Sequence, residues 1–205
     1  MRSIASRLIL PALLTLSLAA CHKSGGPLTT DDMSQGNPNA KVTVVEYASV
    51  GCPICGRWDM DIFPAFKAKY IDTGKVHYVF REMLVGQGEE LNLGASGFLL
   101  ARCAGKDKYF AVTDAIFHVQ PDIYDGKIDA HTALLNVARS VGMNEGQFNA
   151  CVNSDAGLTA LQQRVTDHAN NDHVDSTPTF VVNGVSLAPG YHTLNELDAA
   201  IAAAH

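Results

Sequence analysis

Between Lys41 and Met83 the chain changes period twice. KVTVVEYAS (Lys41–Ser49) is a β-branched run and predicts a buried strand. The next segment, CPICGRWDMDIFPAFKAKYIDTG, sets Trp58, Ile62, Phe66 and Tyr70 four residues apart, on one helical face. Pro64 falls inside that pattern and predicts a kink or a split. Gly74 supplies a C-terminal stop. KVHYVFREM (Lys75–Met83) predicts a second strand. Strand, helix and strand within about forty residues make a βαβ unit, and therefore a parallel pair of strands. Trp58 is expected in its core.

From about 86 to 153 the spacing turns helical. LNLGASGFLLARCAG, KDKYFAVTDAIFHVQ, DAHTALLNVARSVG and NEGQFNACVN predict four helices, punctuated by Gly105, Pro121 and Gly142. LTALQQRVTDHANND predicts one more. PTFVVNGVSLAP then carries two short β runs around Asn183-Gly184, a strong hairpin signal. TLNELDAAIAAA closes the chain as a helix, with Thr193 and Glu196 placed as a capping box. An α/β sheet with helices on both faces accommodates this order. The helical insertion is expected to lie over one side as a lid.

The 205 residues suffice for one well-packed domain. A net charge of −6 and a pI near 5.7 leave no basic face for nucleic acid. Residues 1–20 read as a signal peptide: Arg2 and Arg7, then the uncharged apolar run Leu8–Ala20, too short to span a bilayer comfortably, then small residues. Leu18-Ala19-Ala20-Cys21 resembles the lipobox of bacterial lipoproteins. That resemblance implies lipid on Cys21 and attachment to a membrane. Plain cleavage with a free Cys21 thiol is the alternative. Residues 21–36, rich in Gly, Ser, Thr, Asp and Pro, read as a flexible tether ahead of a domain over 37–205.

Export places the five cysteines in an oxidising compartment. With Cys21 lipidated, four remain. Pairing Cys52 with Cys55 leaves Cys103 with Cys151. A Cys103–Cys151 disulfide would close a loop of about fifty residues and contribute about 4 kcal/mol on a chain-entropy model. The alternative is two free cysteines packed as small hydrophobes.

Cys52 falls where a strand gives way to a helix, with Pro53 as the first helical residue, where its missing N–H costs nothing. A helix N-terminus offers free N–H groups and partial positive charge, so the Cys52 thiol is expected below the free value of about 8.5. Cys55 lies one turn on, within bonding reach. Such a pair can close and open with little motion, as disulfide exchange requires. Two other readings stay weaker. A metal needs more ligands than this pair supplies, and no histidine lies near the motif. A structural disulfide across two residues closes almost no loop. The histidines, among them His118, His131, His168 and His173, read as solvated surface residues.

VVEYASVGCPIC, YIDTGKVHYVFREM, the helical insertion and STPTFVVNG together resemble the DsbA branch of thioredoxin-fold proteins, and more narrowly those with a second cysteine pair. The resemblance spans about Asn37 to the C-terminus. It implies a thioredoxin-like fold with an inserted helical subdomain. It makes Cys52 the exposed nucleophile and Cys55 the buried resolving cysteine. Thr177-Pro178 matches the family's cis-proline dipeptide, which pairs with an extended substrate segment. Pro53 and Ile54, between the cysteines, join it as substrate contacts. Glu46, six residues before Cys52, matches a buried acid that relays protons; a glutamate in water at a strand edge is the alternative. The strongest oxidants of the branch carry histidine where this chain has Ile54. Loss of that donor predicts a Cys52 pKa above theirs and a couple between about −120 and −270 mV.

The expected activity is that of a periplasmic thiol:disulfide oxidoreductase acting on cysteine-containing exported proteins. By resemblance, a DsbB-like membrane oxidase regenerates it, and no soluble redox cofactor is implied. A monomer is expected. Isomerases and reductases of this branch dimerise through a sizeable N-terminal domain, for which the short tether leaves no room. The rival from another class is a non-catalytic lipoprotein that binds metal or acts as a chaperone.

Overall fold

The computed structural model describes residues 25–204; the expected signal peptide and Cys21 lie outside them. Five strands form one mixed sheet in the order β1-β3-β2-β4-β5. The centre is the expected parallel pair, β2 (Val42–Ala48) beside β3 (Val76–Glu82). β4 (Thr179–Val182) lies antiparallel on the other side of β2, and β5 (Val185–Ser186) completes the Asn183-Gly184 hairpin. Asn183 adopts φ 47° and Gly184 φ 84°, the left-handed pair that a tight hairpin needs.

Between β2 and β3 the helical stretch divides as Pro64 requires. α1 (Pro53–Asp61) ends, Ile62 swings to φ −115° while still packing on the core, and α2 (Phe63–Phe66) restarts with Pro64 in its first turn. A π-helical turn, Lys67–Ile71, carries the chain to Gly74 (φ 69°). Trp58, Phe66 and Tyr70 are buried, and the Trp58 ring lies 4.7 Å from that of Phe180 on β4. This aromatic contact seats α1 on the sheet.

The crossover from β3 to β4 holds α3 (Glu89–Cys103), α4 (Lys106–Tyr124), α5 (Ala130–Ser140), α6 (Glu145–Val152) and α7 (Asp155–Asn171). α8 (Leu194–Ala203) ends the fold behind the Thr193–Glu196 capping box. One face of the sheet shares a large core with residues of α1, α3, α4, α5 and α8. The opposite face carries a smaller cluster of Val45, Tyr47, Val79, Met83, Val174 and Val181, with Ala169 of α7 against it.

Three expectations change here. Part of the expected tether belongs to the fold: β1 (Met33–Gly36) pairs antiparallel with β3, and Arg81 holds the carbonyls of Gly26 and Pro27 and the carboxylate of Asp32. A four-residue strand with only Met33 buried has no alternating pattern to read. Second, Pro121 does not end α4, which continues to Tyr124. Gln120 and Tyr124 bond the loop ahead of α1, so tertiary contacts offset the roughly 3 kcal/mol that an interior proline costs. Third, among the described residues three histidines are not solvated: His77 is buried on β3, His168 is half-buried with Nδ1 2.9 Å from the Glu82 carbonyl, and His192 is half-buried with Nε2 2.7 Å from the Ala188 carbonyl.

Candidate active site

Cys52 is the N-cap of α1, with extended backbone (φ −84°, ψ 119°), and Pro53 is the first helical residue. Its carbonyl accepts the first intrahelical bond, from Gly56 N–H at 3.0 Å. Two carbonyls of the preceding loop are fixed from α4: Gln120 donates to Val50 O at 2.7 Å, and Tyr124 to Gly51 O. A side chain at Gly51 would run into the Glu90 backbone, so the first turn of α3 packs directly on this loop. The helical insertion thus sets where the sulfur sits.

Cys52 and Cys55 are free thiols with opposite acidities. The Cys55 side chain is the largest cause of the fall of the Cys52 thiol from about 9 to about 6; burial opposes this, while the Thr177 hydroxyl and the N–H groups of Cys55 and Ile54 assist. The Thr177 hydroxyl is buried and forms no hydrogen bond of its own. Burial raises Cys55 well above the ordinary thiol range, and the bond and charge of Cys52 add to it. One sulfur is therefore a ready thiolate at neutral pH, and the other keeps its proton.

The Thr177-Pro178 peptide is cis, and the Thr177 carbonyl lies 3.7 Å from the Cys52 sulfur. Cys52, expected to be exposed, is only 6% accessible, with the Thr177 carbonyl against its sulfur and Val85, Gly86 and Ser176 alongside. The sulfur opens instead into a groove of about 450 Å³ lined by Ile54, Val85, Glu90 and Thr177. Pro53 and Ile54 are exposed, Ile54 to 50%. Glu46 is buried on central β2, with the Tyr78 hydroxyl as its hydrogen-bond partner. Burial raises it to about 8; the Tyr78 bond pulls it down, and the charges of Asp59 and Cys52 push it further up.

The Thioredoxin family matches residues 28–203. The chain belongs to the thioredoxin family. It is 32% identical over 171 residues to a Rickettsia conorii protein provisionally named a protein-disulfide oxidoreductase, covering 83% of this chain and 59% of that one. It is 33% identical over 100 residues to disulfide bond formation protein D of Bacillus subtilis, covering 48% of this chain and 44% of that protein. Among solved structures, Wolbachia pipientis alpha-DsbA1 superposes with a TM-score of 0.75 at 27% identity, covering 86% of this chain and 92% of that one. The chain spans about three fifths of the length of the Rickettsia relative.

In this thioredoxin-family chain Cys52, Cys55, Thr177 and Pro178 meet at one end of the sheet, with Pro53 and Ile54 on the rim. Cys103 and Cys151 lie elsewhere: their disulfide ties the end of α3 to α6 across 48 residues of sequence. Sequence reasoning passed over Asp59. It follows Cys55 by four residues, which places it on the same face of α1. Burial, then the charge of Asp114, raises it to about 7, and its Oδ1 is buried without a partner. Asp59, Asp114 and His118 bring metal-type donor atoms within 4.8 Å of one another, but Asp114 and His118 stand in water and the set is not closed.

Proposed function

We propose that the chain is a thiol:disulfide oxidoreductase that passes a Cys52–Cys55 disulfide to cysteine-containing exported proteins. One observation carries the reading: adjacent sulfurs of opposed acidity, the acidic one at a helix N-terminus and open to a groove beside the Thr177-Pro178 turn. A substrate thiolate attacks Cys52 Sγ. An intermolecular S–S bond forms and the Cys52–Cys55 bond breaks, leaving Cys55 with an electron pair that must take a proton. Glu46, which holds its proton up to about pH 8, is the proposed relay for it. The substrate's second thiol then attacks the mixed disulfide, and Cys52 departs as the stabilised thiolate. Two electrons have moved from substrate to protein.

Reoxidation is assigned to a DsbB-like membrane oxidase, on resemblance. Lipid on Cys21 and residence in the periplasm complete the proposal; among the described residues no helix is long and apolar enough to cross a membrane. Refolding of reduced ribonuclease tests the central claim. Cys52→Ala is expected to abolish disulfide formation, and retained activity would overturn it. Cys55→Ala is expected to accumulate mixed disulfides with substrates.

A further inference from the structure

Resting on the oxidoreductase reading, we infer that the groove at Cys52 selects substrate segments whose cysteine is flanked by lysine or arginine. Two carboxylates line it, Glu90 from α3 and Asp175 from the loop before Pro178. No Lys, Arg or His lines it, and among the described residues neither carboxylate has an ion-pair partner. Several acids elsewhere in the fold are neutralised: Asp32 and Asp172 by Arg81, Glu82 by two arginines, Asp198 by Lys69. Negative charge left unpaired on a concave rim beside a reactive sulfur is positioned to meet a cation on the incoming chain.

The placement of Glu90 is built into the backbone. Gly86 takes φ 74°, and a side chain there would strike the Glu90 carboxylate, so that carboxylate folds back over the turn at the groove's edge. The backbone of Glu90 is in turn packed on Gly51, next to Cys52. Asp175 stands on the other wall, two residues before Thr177, whose carbonyl faces the sulfur. A peptide laid along the groove would carry its flanking residues past both acids. Ile54 and Val85 supply the groove's apolar lining.

The test uses the oxidised protein and three peptides with two cysteines each, flanked by Lys, Ser or Glu. Trp58, the sole tryptophan, lies one turn beyond Cys55 and reports the change from disulfide to dithiol in stopped flow. At low ionic strength the Lys peptide is expected to react about tenfold faster than the Glu peptide, with the ratio collapsing in high salt. Glu90→Gln with Asp175→Asn is expected to bring the ratio to about twofold. Equal rates in the wild type, or a ratio the double variant leaves unchanged, would overturn the inference. The Ser peptide reads the underlying activity, so its failure to react sinks the oxidoreductase reading separately. In that event the charge preference is read from the reduced protein. Its Cys52 thiolate attacks cystamine or dithiodipropionate, each releasing one thiol, and the rate ratio is compared between wild type and double variant. A ratio common to both proteins overturns the preference there too.

Discussion

Glu46 and Glu82 stand on the same face of the sheet, on neighbouring strands, with Glu46 opposite Phe80 and Glu82 opposite Ala48. Both are buried, at 2% and 0% exposure. Their partners differ. Glu82 accepts from Arg102 Nε at 2.6 Å, Arg164 Nε at 2.7 Å and the Tyr109 hydroxyl at 3.0 Å. Glu46 meets the Tyr78 hydroxyl, with Asp59 and the Cys52 sulfur adding negative charge around it. At one depth, the same side chain is a strut where cations reach it and an acid near neutrality where they do not. Burial alone assigns neither role.

The largest effect is expected from the strut. Glu82→Gln strips Arg102 and Arg164 of their common partner, and removing one member of a buried ionic set costs about 3 kcal/mol. Urea unfolding at pH 7 measures this, while the alkylation profile of Cys52 should keep its midpoint near 6. A loss below about 1 kcal/mol, the worth of an exposed pair, would dissolve the contrast between the two glutamates.

Glu46→Gln should act in the opposite sense, and with pH. Folding lifts the Glu46 carboxyl from 4.5 to about 8, so the folded protein holds a proton there that the unfolded chain has released. Its contribution is fully present below pH 4.5 and is lost as pH rises through about 8. The variant has no such liability. Relative to wild type it should gain stability between those limits, by a few kcal/mol on the order of magnitude that the shift implies. Catalysis should suffer: formation of the mixed disulfide, the step in which Cys55 leaves and takes a proton, slows by about 100-fold if Glu46 serves Cys55 as its general acid. A wild-type pH–rate inflection near 8 that persists in the variant would assign that titration to another group, Asp59 first.

Little of this contrast could be read along the chain. The cysteine pair, the strand-to-helix junction, the Pro64 break, the Asn183-Gly184 turn and the Thr193 cap are local patterns, and sequence spacing carries them. Glu82 draws its cations from residues 20 and 82 positions away, on α3 and α7, and nothing in VFREM distinguishes it from a solvated glutamate. β1 forms because β3 has a free edge and Arg81 an unfilled fork, neither of which MSQG announces. Asp59 was hidden by its neighbours: in GRWDMD an acid reads as the polar face of a helix, and α4 is what buries it.

The rule drawn from the two glutamates extends to sulfur. Cys52 is nearly as buried as Glu46, yet its proton affinity falls because donors converge on it: the Cys55 thiol, the Thr177 hydroxyl and two helix N–H groups. Adding one more donor should move it further, though by less than the changes above. Ile54→His does so at an exposed position in the first turn of α1, where a side-chain N–H near the sulfur and a positive helix end act in the same direction. The alkylation midpoint of Cys52 should drop below its wild-type value near 6, by about one pH unit. A tenfold better thiolate makes the reduced form more stable by about 1.4 kcal/mol, which raises the potential of the pair by about 30 mV. Glutathione equilibration reads the potential and iodoacetamide kinetics the acidity. A midpoint that does not move would mean that the donors already present saturate the sulfur, and that residue 54 shapes the groove without tuning the chemistry.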